Sequence, residues 1–180
     1  TLSTAWDLST ASYDSISFSV AVQDNSPRGL AFKTDGTKMY IVGTTNSTIF
    51  QYTLSTPWVV SSSSYDSVSF SVGSQDTSAF SLALKPDGTK FYLLGATNDS
   101  VFQYTLSTAW DMSTASYDSI SFSVASQETT PYGMTLKPDG TKLYIVGYVN
   151  DTVYQYTLST AWDLSTASYD SISFSVAVQD

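Results

Sequence analysis

The chain has 180 residues, a formal net charge of −9 and neither cysteine nor histidine, which excludes thiol nucleophiles, Ser-His-Asp and Cys-His catalysis, and the usual zinc and copper sites. Its seven basic residues are spread along the sequence, so nucleic acid and anionic membranes are poor candidate partners. No apolar run approaches the roughly 20 residues of a membrane-spanning helix, so we expect no membrane insertion.

The chain begins with the phrase TLSTAWDLSTASYDSISFSVAVQD, which returns unchanged at residues 157–180. Two variants of it begin at Thr53 and Thr105, so the four copies lie 52 residues apart. In SISFSV, serine alternates with Ile, Phe and Val, which is the period-two pattern of a strand with one buried face. We interpret residues 1–24 as a surplus outer strand and linker of a preceding unit.

Residues 25–76 form the first complete unit and predict four strands. The runs GLAFK and KMYIVG flank TDGT, and Asp-Gly between two apolar runs indicates a tight hairpin. A second turn at TTNST leads into IFQYTL, and VSFSV ends the unit. The predicted strands are a (Leu30 to Lys33), b (Lys38 to Val42), c (Thr48 to Leu54) and d (Ser67 to Val72).

Residues 77–128 and 129–180 repeat this pattern, with PDGT at the hairpin. Four antiparallel strands repeated every 40 to 55 residues are typical of a β-propeller blade. The segment SPRGLAFKTDGTKMYIVGTTNSTIFQY and its two counterparts resemble the blades of YVTN and WD40-like propellers, in which a Pro-Asp-Gly hairpin precedes a strand and a turn with Asn or Asp. The resemblance implies an all-β fold of tandem four-stranded antiparallel blades, but no particular activity.

Three blades are fewer than the roughly four to eight that close a propeller ring. Three explanations are open: the chain is a segment of a longer repeat array, two or more chains complete a ring, or the blades stack without closing and continue into a fibre. We favour the longer array or the open fibre. The second and third explanations predict self-association through blade or end-to-end contacts.

The repeated acids argue against catalysis. They occur once per unit in SYDS and once in DGT, at Asp14, Asp66, Asp118 and Asp170 and at Asp35, Asp87 and Asp139. A catalytic pair needs two carboxylates in different environments at one site, whereas these positions are equivalent. We therefore predict no enzymatic activity, no catalytic residue, no metal site and no cofactor.

Two sets of positions vary while their surroundings stay fixed. The resemblance implies that loops leading into the inner strand of a propeller line one face near the axis, where ligands bind. We predict a ligand-binding surface there, with carbohydrate as a candidate ligand, although neutral drift on a solvated loop explains the variation equally well. The positions are Arg28, Phe80 and Tyr132 before strand a, and Thr44, Ala96 and Tyr148 after strand b.

Each unit also contains an Asn-x-Ser/Thr sequon, at Asn46, Asn98 and Asn150. These are candidate glycosylation sites in a secreted protein. The alternative is that the asparagine simply forms the turn.

Near-identical units and a Ser/Thr-rich exterior favour a non-enzymatic structural or interaction protein. The sequence thus predicts an extracellular or cell-surface scaffold, fibre or adhesin. The alternative is a ligand- or glycan-binding propeller module of a surface protein or phage tail fibre.

Overall fold

The computed structural model describes residues 1–178, so the last two residues of the third predicted unit lie outside it. It contains three four-stranded antiparallel sheets, each with its strands in chain order, which confirms the predicted all-β fold of tandem four-stranded blades. Blade 1 comprises β1 (Pro27–Phe32), β2 (Lys38–Gly43), β3 (Thr48–Leu54) and β4 (Ser63–Ser71). Blade 2 comprises β5 (Ala79–Leu84), β6 (Lys90–Gly95), β7 (Ser100–Leu106) and β8 (Ala115–Ser123), and blade 3 comprises β9 (Pro131–Leu136), β10 (Lys142–Gly147), β11 (Thr152–Leu158) and β12 (Ala167–Ser175).

The outer strand of each blade begins earlier than the sequence predicts. In blade 1, β4 starts at Ser63 rather than Ser67, because its register shifts between Gln51 and Tyr52 and Ser67 takes a positive φ of 58°. The bulge interrupts the alternation of apolar residues, so the sequence pattern assigned the first half of this strand to the loop that precedes it. A 3-10 turn precedes each outer strand, and the N-terminal segment has one of its own; these turns lie at Leu8–Thr10, Val60–Ser62, Met112–Thr114 and Leu164–Thr166.

The blades have two distinct ends. At the hairpin end, the first two strands of each blade are joined by the Asp-Gly turn, whose glycine has a φ of 73° to 75° at Gly36, Gly88 and Gly140. Only glycine adopts this conformation without strain. At the opposite end, which we call the ladder end, the first strand begins and the second strand turns into the third.

The blades pack face to face along the chain. Tyr40, Val42 and Ile49 of blade 1 lie in one buried cluster with Phe91 and Leu93 of blade 2. Their neighbours on the opposite face of blade 2 form a second cluster with blade 3. The central strands are therefore buried on both faces, which is why KFYLLG reads as a continuous apolar run. The first strand β5 contacts both β1 and β9, so the three first strands form the inner edge of the stack.

Hydrogen bonds between blades fix how they stack. The Tyr40 hydroxyl donates to the carbonyl of Trp110 at 2.7 Å, and the Met112 N–H donates to Gln51 Oε1 at 2.9 Å. The same two bonds recur between blades 2 and 3, from Tyr92 to Trp162 at 2.6 Å and from Leu164 to Gln103 at 2.8 Å. Blades 1 and 2 thus each present a Tyr and a Gln to the tryptophan loop of the next blade.

The N-terminal segment packs on blade 1 without forming a named strand. Phe18 lies edge-on to Tyr52 with ring centroids 5.7 Å apart, as Phe70 of blade 1 does to Tyr104 of blade 2. The division of the chain at residues 24, 76 and 128 stays a prediction. None of the helices among residues 1–178 is long and apolar enough to cross a membrane.

Candidate functional site

The ladder end carries a row of side chains set on β-bulges. Between Pro27 and Gly29 the register of β1 against β2 shifts by one residue, so Arg28 is the extra residue of a bulge. Phe80 and Tyr132 occupy the same bulge in β5 and β9. A bulge turns its extra side chain away from the regular alternation of the strand. The side chains at these three positions are therefore not part of the core packing that holds the rest of the strand.

The structure brings four of the six predicted ligand-binding residues together in one row. The Arg28 guanidinium carbon lies 5.3 Å from the centre of the Phe80 ring. Phe80 stacks on Tyr132 at 4.7 Å with an interplanar angle of 7°, and Tyr132 stacks on Tyr148 at 5.7 Å and 23°. We call Arg28, Phe80, Tyr132 and Tyr148 the aromatic ladder.

The ladder combines an aromatic surface with a cation at one end. Arg28, Tyr132 and Tyr148 are exposed, and Phe80 is half-buried between its neighbours. Offset stacking and the cation over the ring hold the row in place. The guanidinium keeps hydrogen-bond donors for an anionic or carbonyl oxygen, so the row suits a ligand that has both an apolar face and such an oxygen.

The other two predicted residues do not join the ladder. The Thr44 hydroxyl donates to Ser26 Oγ at 3.1 Å, and Ala96 has no polar side-chain group. Their backbone N–H groups donate to Ser26 and Ser78, as that of Tyr148 donates to Thr130. All three blades therefore share this backbone hydrogen bond, and only Tyr148 adds a ring to the row.

Beneath the ladder lies a set of buried carboxylates that the sequence analysis did not single out. They are Asp24, Asp76 and Glu128. Asp76 Oδ1 accepts from the N–H of Ser78 at 2.7 Å, and Oδ2 accepts from that of Asn98 at 2.8 Å. The acid thus ties the start of the inner strand to the adjoining turn. The recurring Gln-Asp or Gln-Glu, four residues before each bulge residue, is the signal that could have revealed them.

A glycine makes room for each of these carboxylates. A Cβ at Gly95 would overlap the carboxyl group of Asp76, and one at Gly147 would overlap that of Glu128. Asp24 differs from the other two, because its Oδ2 is buried without a hydrogen-bond partner among the described residues. Blade 1 therefore holds a carboxylate with unused acceptor capacity next to the bulge that carries Arg28.

Asp99 is a second distinctive acid at this end. Burial raises the pKa of its carboxyl, and the charges of Asp76 and Glu128 raise it further. Its Oδ1 is buried without a hydrogen-bond partner in the described part of the chain. In blade 1 the equivalent residue is Ser47, whose hydroxyl donates to the carbonyl of Thr77 at 2.8 Å. A carboxyl whose pKa is raised in this way is suited to proton transfer.

The sequon asparagines flank the ladder in the same turns. All three are exposed, and each donates its side-chain amide to a linker carbonyl: Asn46 to Gln23 at 3.2 Å, Asn98 to Gln75 at 2.8 Å and Asn150 to Gln127 at 2.8 Å. The amides thus help to hold the turns. Their glycosylation stays a prediction.

The repeated acids lie elsewhere and hold other parts of the blades. Asp118 pairs with Lys90 at 2.9 Å and accepts from Gln103 at 2.7 Å. Asp87 accepts from the N–H of Thr89 in the hairpin turn at 3.0 Å and pairs with Lys85 at 2.7 Å. The same contacts recur in the other blades, so these acids have structural partners throughout.

No protein-family model matches the sequence, and no curated relative matches it. Solved structures match the fold at low identity. A periplasmic gluconolactonase from Pseudomonas aeruginosa matches with a TM-score of 0.59 and 16% identity, over 83% of this chain and 40% of its own. A protein described as a 6-phosphogluconolactonase from Bacteroides fragilis matches with a TM-score of 0.61 and 15% identity, over 83% and 39%.

The β-propeller domain of Cps50 (Swd1) from Myceliophteria thermophila matches with a TM-score of 0.53 and 12% identity, over 87% of this chain and 46% of its own. This chain therefore spans less than half the length of each of these structures. At such identities the likeness shows the fold, which is of the β-propeller type with repeated four-stranded blades.

The comparison corrects two of the predictions. Neighbours that carry the names of lactonases overturn the prediction of a non-enzymatic structural scaffold, fibre or adhesin, and with it the prediction that the chain is not an enzyme. The physical reason for the error lies in the acids that were considered. The symmetry argument considered only the acids of SYDS and DGT. It left out Asp24, Asp76 and Glu128, which share one position but differ in side chain or in hydrogen bonding, and Asp99, whose counterpart in blade 1 is Ser47.

Proposed function

We propose that this chain contributes three blades to a β-propeller that binds and hydrolyses a sugar lactone at the ladder end. The observation that carries the proposal is the aromatic ladder, a stacked row of three exposed or half-buried rings that ends in an arginine. The two neighbours named as lactonases supply the reaction class. The proposal includes the YVTN-like type of the blades and a location outside the cytoplasm, as the neighbour from Pseudomonas aeruginosa is periplasmic.

The ladder fits the chemistry of a lactone of a sugar acid. Phe80 and Tyr148 cover the two faces of Tyr132, so the sugar ring would lie across the exposed edges of Phe80 and Tyr132, next to Arg28, since aromatic rings provide large and rigid apolar contact area. Arg28 would donate to the lactone carbonyl oxygen, on which negative charge develops when water adds to the carbonyl carbon. A lactone bearing a phosphate would offer the same guanidinium a second anionic group.

Hydrolysis also needs a group that moves a proton. Water adds to the carbonyl carbon, the bond to the ring oxygen breaks, and the proton lost by the water reaches the ring oxygen, which becomes the hydroxyl of the product acid. Asp99 is the candidate for this transfer because burial raises the pKa of its carboxyl. It lies in the turn at the ladder end of blade 2, the blade that carries Phe80.

The test is hydrolysis of glucono-δ-lactone and of 6-phosphogluconolactone, measured as acid release above the spontaneous rate. We expect Arg28→Ala to lower kcat/KM at least about tenfold, and Tyr132→Ala to raise KM. Asp99→Asn should lower kcat and flatten its dependence on pH. Tyr13→Ala is the matched control, because Tyr13 is an exposed tyrosine of the N-terminal segment and is not part of the stacked row.

Calorimetric titration of the same two lactones separates binding from turnover. Heat of binding that is lost in Tyr132→Ala and kept in Tyr13→Ala would place the ligand on the ladder. If the chain neither binds these lactones nor accelerates their hydrolysis, the proposed function is wrong. Equal activity of the wild type and Arg28→Ala would also contradict it.

A further inference from the structure

The two outer faces of the three-blade stack differ in what covers them. The face of blade 1 that points away from blade 2 contains Ile41, Phe50 and Tyr52, and Phe18 and Val20 of the N-terminal segment pack on it. On the far face of blade 3, Phe174 is 70% exposed and Ile172 is 54% exposed. Beside them lies a groove of about 350 Å³ lined by residues that include Tyr144, Val146 and Val153. Blade 3 thus ends in an apolar face that no described residue covers.

Blade 3 also has two polar groups whose counterparts are bonded in the other blades. Tyr40 and Tyr92 each donate a hydroxyl proton to a tryptophan carbonyl of the next blade. Gln51 and Gln103 each accept a backbone N–H from the loop that follows that tryptophan. The equivalent groups in blade 3 are the Tyr144 hydroxyl and Gln155 Oε1, and neither has such a partner among residues 1–178.

Blade 1 has the complementary groups on its own tryptophan loop. Trp58 and Val60 are the counterparts of Trp110 and Met112 in blade 2. In the described chain no tyrosine hydroxyl reaches the Trp58 carbonyl, and no glutamine accepts the Val60 N–H. Trp58 is 57% exposed. Within the described structure, the loop of blade 1 therefore has a free carbonyl at Trp58 and a free N–H at Val60. These are the two kinds of partner that the Tyr144 hydroxyl and Gln155 Oε1 of blade 3 lack among residues 1–178.

The repeated phrase supplies the apolar half of the same contact. Residues 171–178 have the same sequence as residues 15–22, which include the Phe18 and Val20 that pack on blade 1. Phe174 and Val176 are the corresponding residues of blade 3. A second chain that brought its blade 3 against blade 1 would place an identical segment where residues 15–22 now lie.

We propose that the open face of blade 3 binds blade 1 of a second copy of this chain, and that two copies close head to tail into a ring of six blades. Tyr144 and Gln155 of one chain would bond to Trp58 and Val60 of the other, and Phe174 would displace the other chain's Phe18 from Tyr52. Such a contact between unlike surfaces forms a closed ring when the rotation per step permits it. Six blades fall within the range of about four to eight at which propellers close.

The proposal gives opposite roles to two identical side chains. Phe174 makes the contact between chains, so Phe174→Asp should weaken association at least about tenfold. Phe18 occupies the site on blade 1 that the second chain needs, so Phe18→Asp should strengthen association. The two phenylalanines lie in the same local sequence, SISFSVAV, which makes each variant the control for the other. Gln155→Ala should weaken association without changing an apolar contact.

Sedimentation equilibrium in 0.15 M salt measures this directly, because that salt screens the repulsion between two chains of charge −9. We expect a mass that rises with concentration from 19.5 kDa towards twice that value and no further. Circular dichroism of each variant checks that its strands are intact. A mass of 19.5 kDa at every concentration for both the wild type and Phe18→Asp would overturn the proposal. Open-ended growth beyond the dimer, or the same direction of change in the two phenylalanine variants, would also overturn it. The result does not depend on lactone hydrolysis, which is measured separately.

Discussion

The hairpin end and the ladder end of the blades differ in how far their side-chain contacts repeat from one blade to the next. At the hairpin end the three blades repeat the same contacts: the turn glycine has a positive φ, an aspartate caps the turn, and a tryptophan N–H donates to the glycine carbonyl. At the ladder end the turn asparagines also repeat their hydrogen bonds, but the bulge residue and the residue after the second strand differ in every blade. Repeated contacts therefore mark the end that holds the fold together, and varied side chains on the same backbone mark the end available for chemistry.

The largest effect should come from the tryptophan loop at the hairpin end. Leu164 is fully buried between blades 2 and 3, whereas Leu8 lies in the same sequence, AWDLST, and is 81% exposed. We expect Leu164→Ala to lower the free energy of unfolding by about 2–5 kcal/mol, since the vacated space is not refilled. Leu8→Ala should change it by less than about 0.5 kcal/mol. Urea unfolding followed by tryptophan fluorescence measures both, and equal losses would show that the loop does not hold the blades together.

A hairpin glycine should come next. Gly88 has a φ of 74°, and a Cβ there would overlap the Trp110 indole. Gly88→Ala should therefore cost about 2–4 kcal/mol of unfolding free energy, from backbone strain and overpacking together. At Gly73, near the ladder end, a Cβ would make only ordinary van der Waals contacts, with Ser47 Cβ at 3.6 Å and Ser71 Oγ at 3.7 Å. Gly73→Ala should be neutral or slightly stabilising in the same urea experiment, and a comparable loss there would break the distinction between the two ends.

The sequence predicted the hairpin end well because its signals are local. Asp-Gly between apolar runs specifies the turn, and the fixed spacing of the repeats specifies the order of the strands. The sequence did not predict the bulge in the outer strand. A serine with a positive φ, such as Ser67, cannot be recognised from the spacing of the apolar residues. The local signals say nothing of which face of a blade meets its neighbour.

At the ladder end the sequence revealed where side chains vary, but not what they form. Arg28, Phe80 and Tyr132 are 52 residues apart in the chain, and their stacking depends on how closely the inner strands approach one another. The buried acids were missed because an aspartate before a turn reads as an ordinary turn residue. Only the packed structure shows that Asp76 is enclosed by Gly95 and by backbone N–H groups.

The paired acid Asp118 should show a smaller loss, and one that depends on pH. Burial alone would raise the pKa of its carboxyl, but hydrogen bonds from Gln103, Lys90 and Thr105, with the Lys90 charge, outweigh burial and lower it. As pH falls below about 4, the unfolded state takes up this proton before the folded state does, so the free energy of unfolding decreases. Asp118→Asn should cost about 1–3 kcal/mol at pH 7 and weaken this acid dependence. Urea unfolding from pH 7 to pH 3 measures both effects, and an unchanged acid dependence would contradict the role given to the pair.

Asp99 should show the smallest effect and the opposite sign. Because burial raises the pKa of its carboxyl, the folded state binds this proton more tightly than the unfolded state does, and the free energy of unfolding falls as pH rises through the interval between the two pKa values. Above that interval the ionised carboxyl weakens the fold, so Asp99→Asn should raise the free energy of unfolding at pH 7 by less than about 1 kcal/mol. The matched control is Asp151→Asn, in the same turn of blade 3 with a similar positive φ, which should change it by no more than a few tenths. A stabilised Asp99→Asn that has lost lactone hydrolysis would show that the ladder end gives up stability for chemistry, whereas a destabilised one would place Asp99 with the structural acids of the hairpin end.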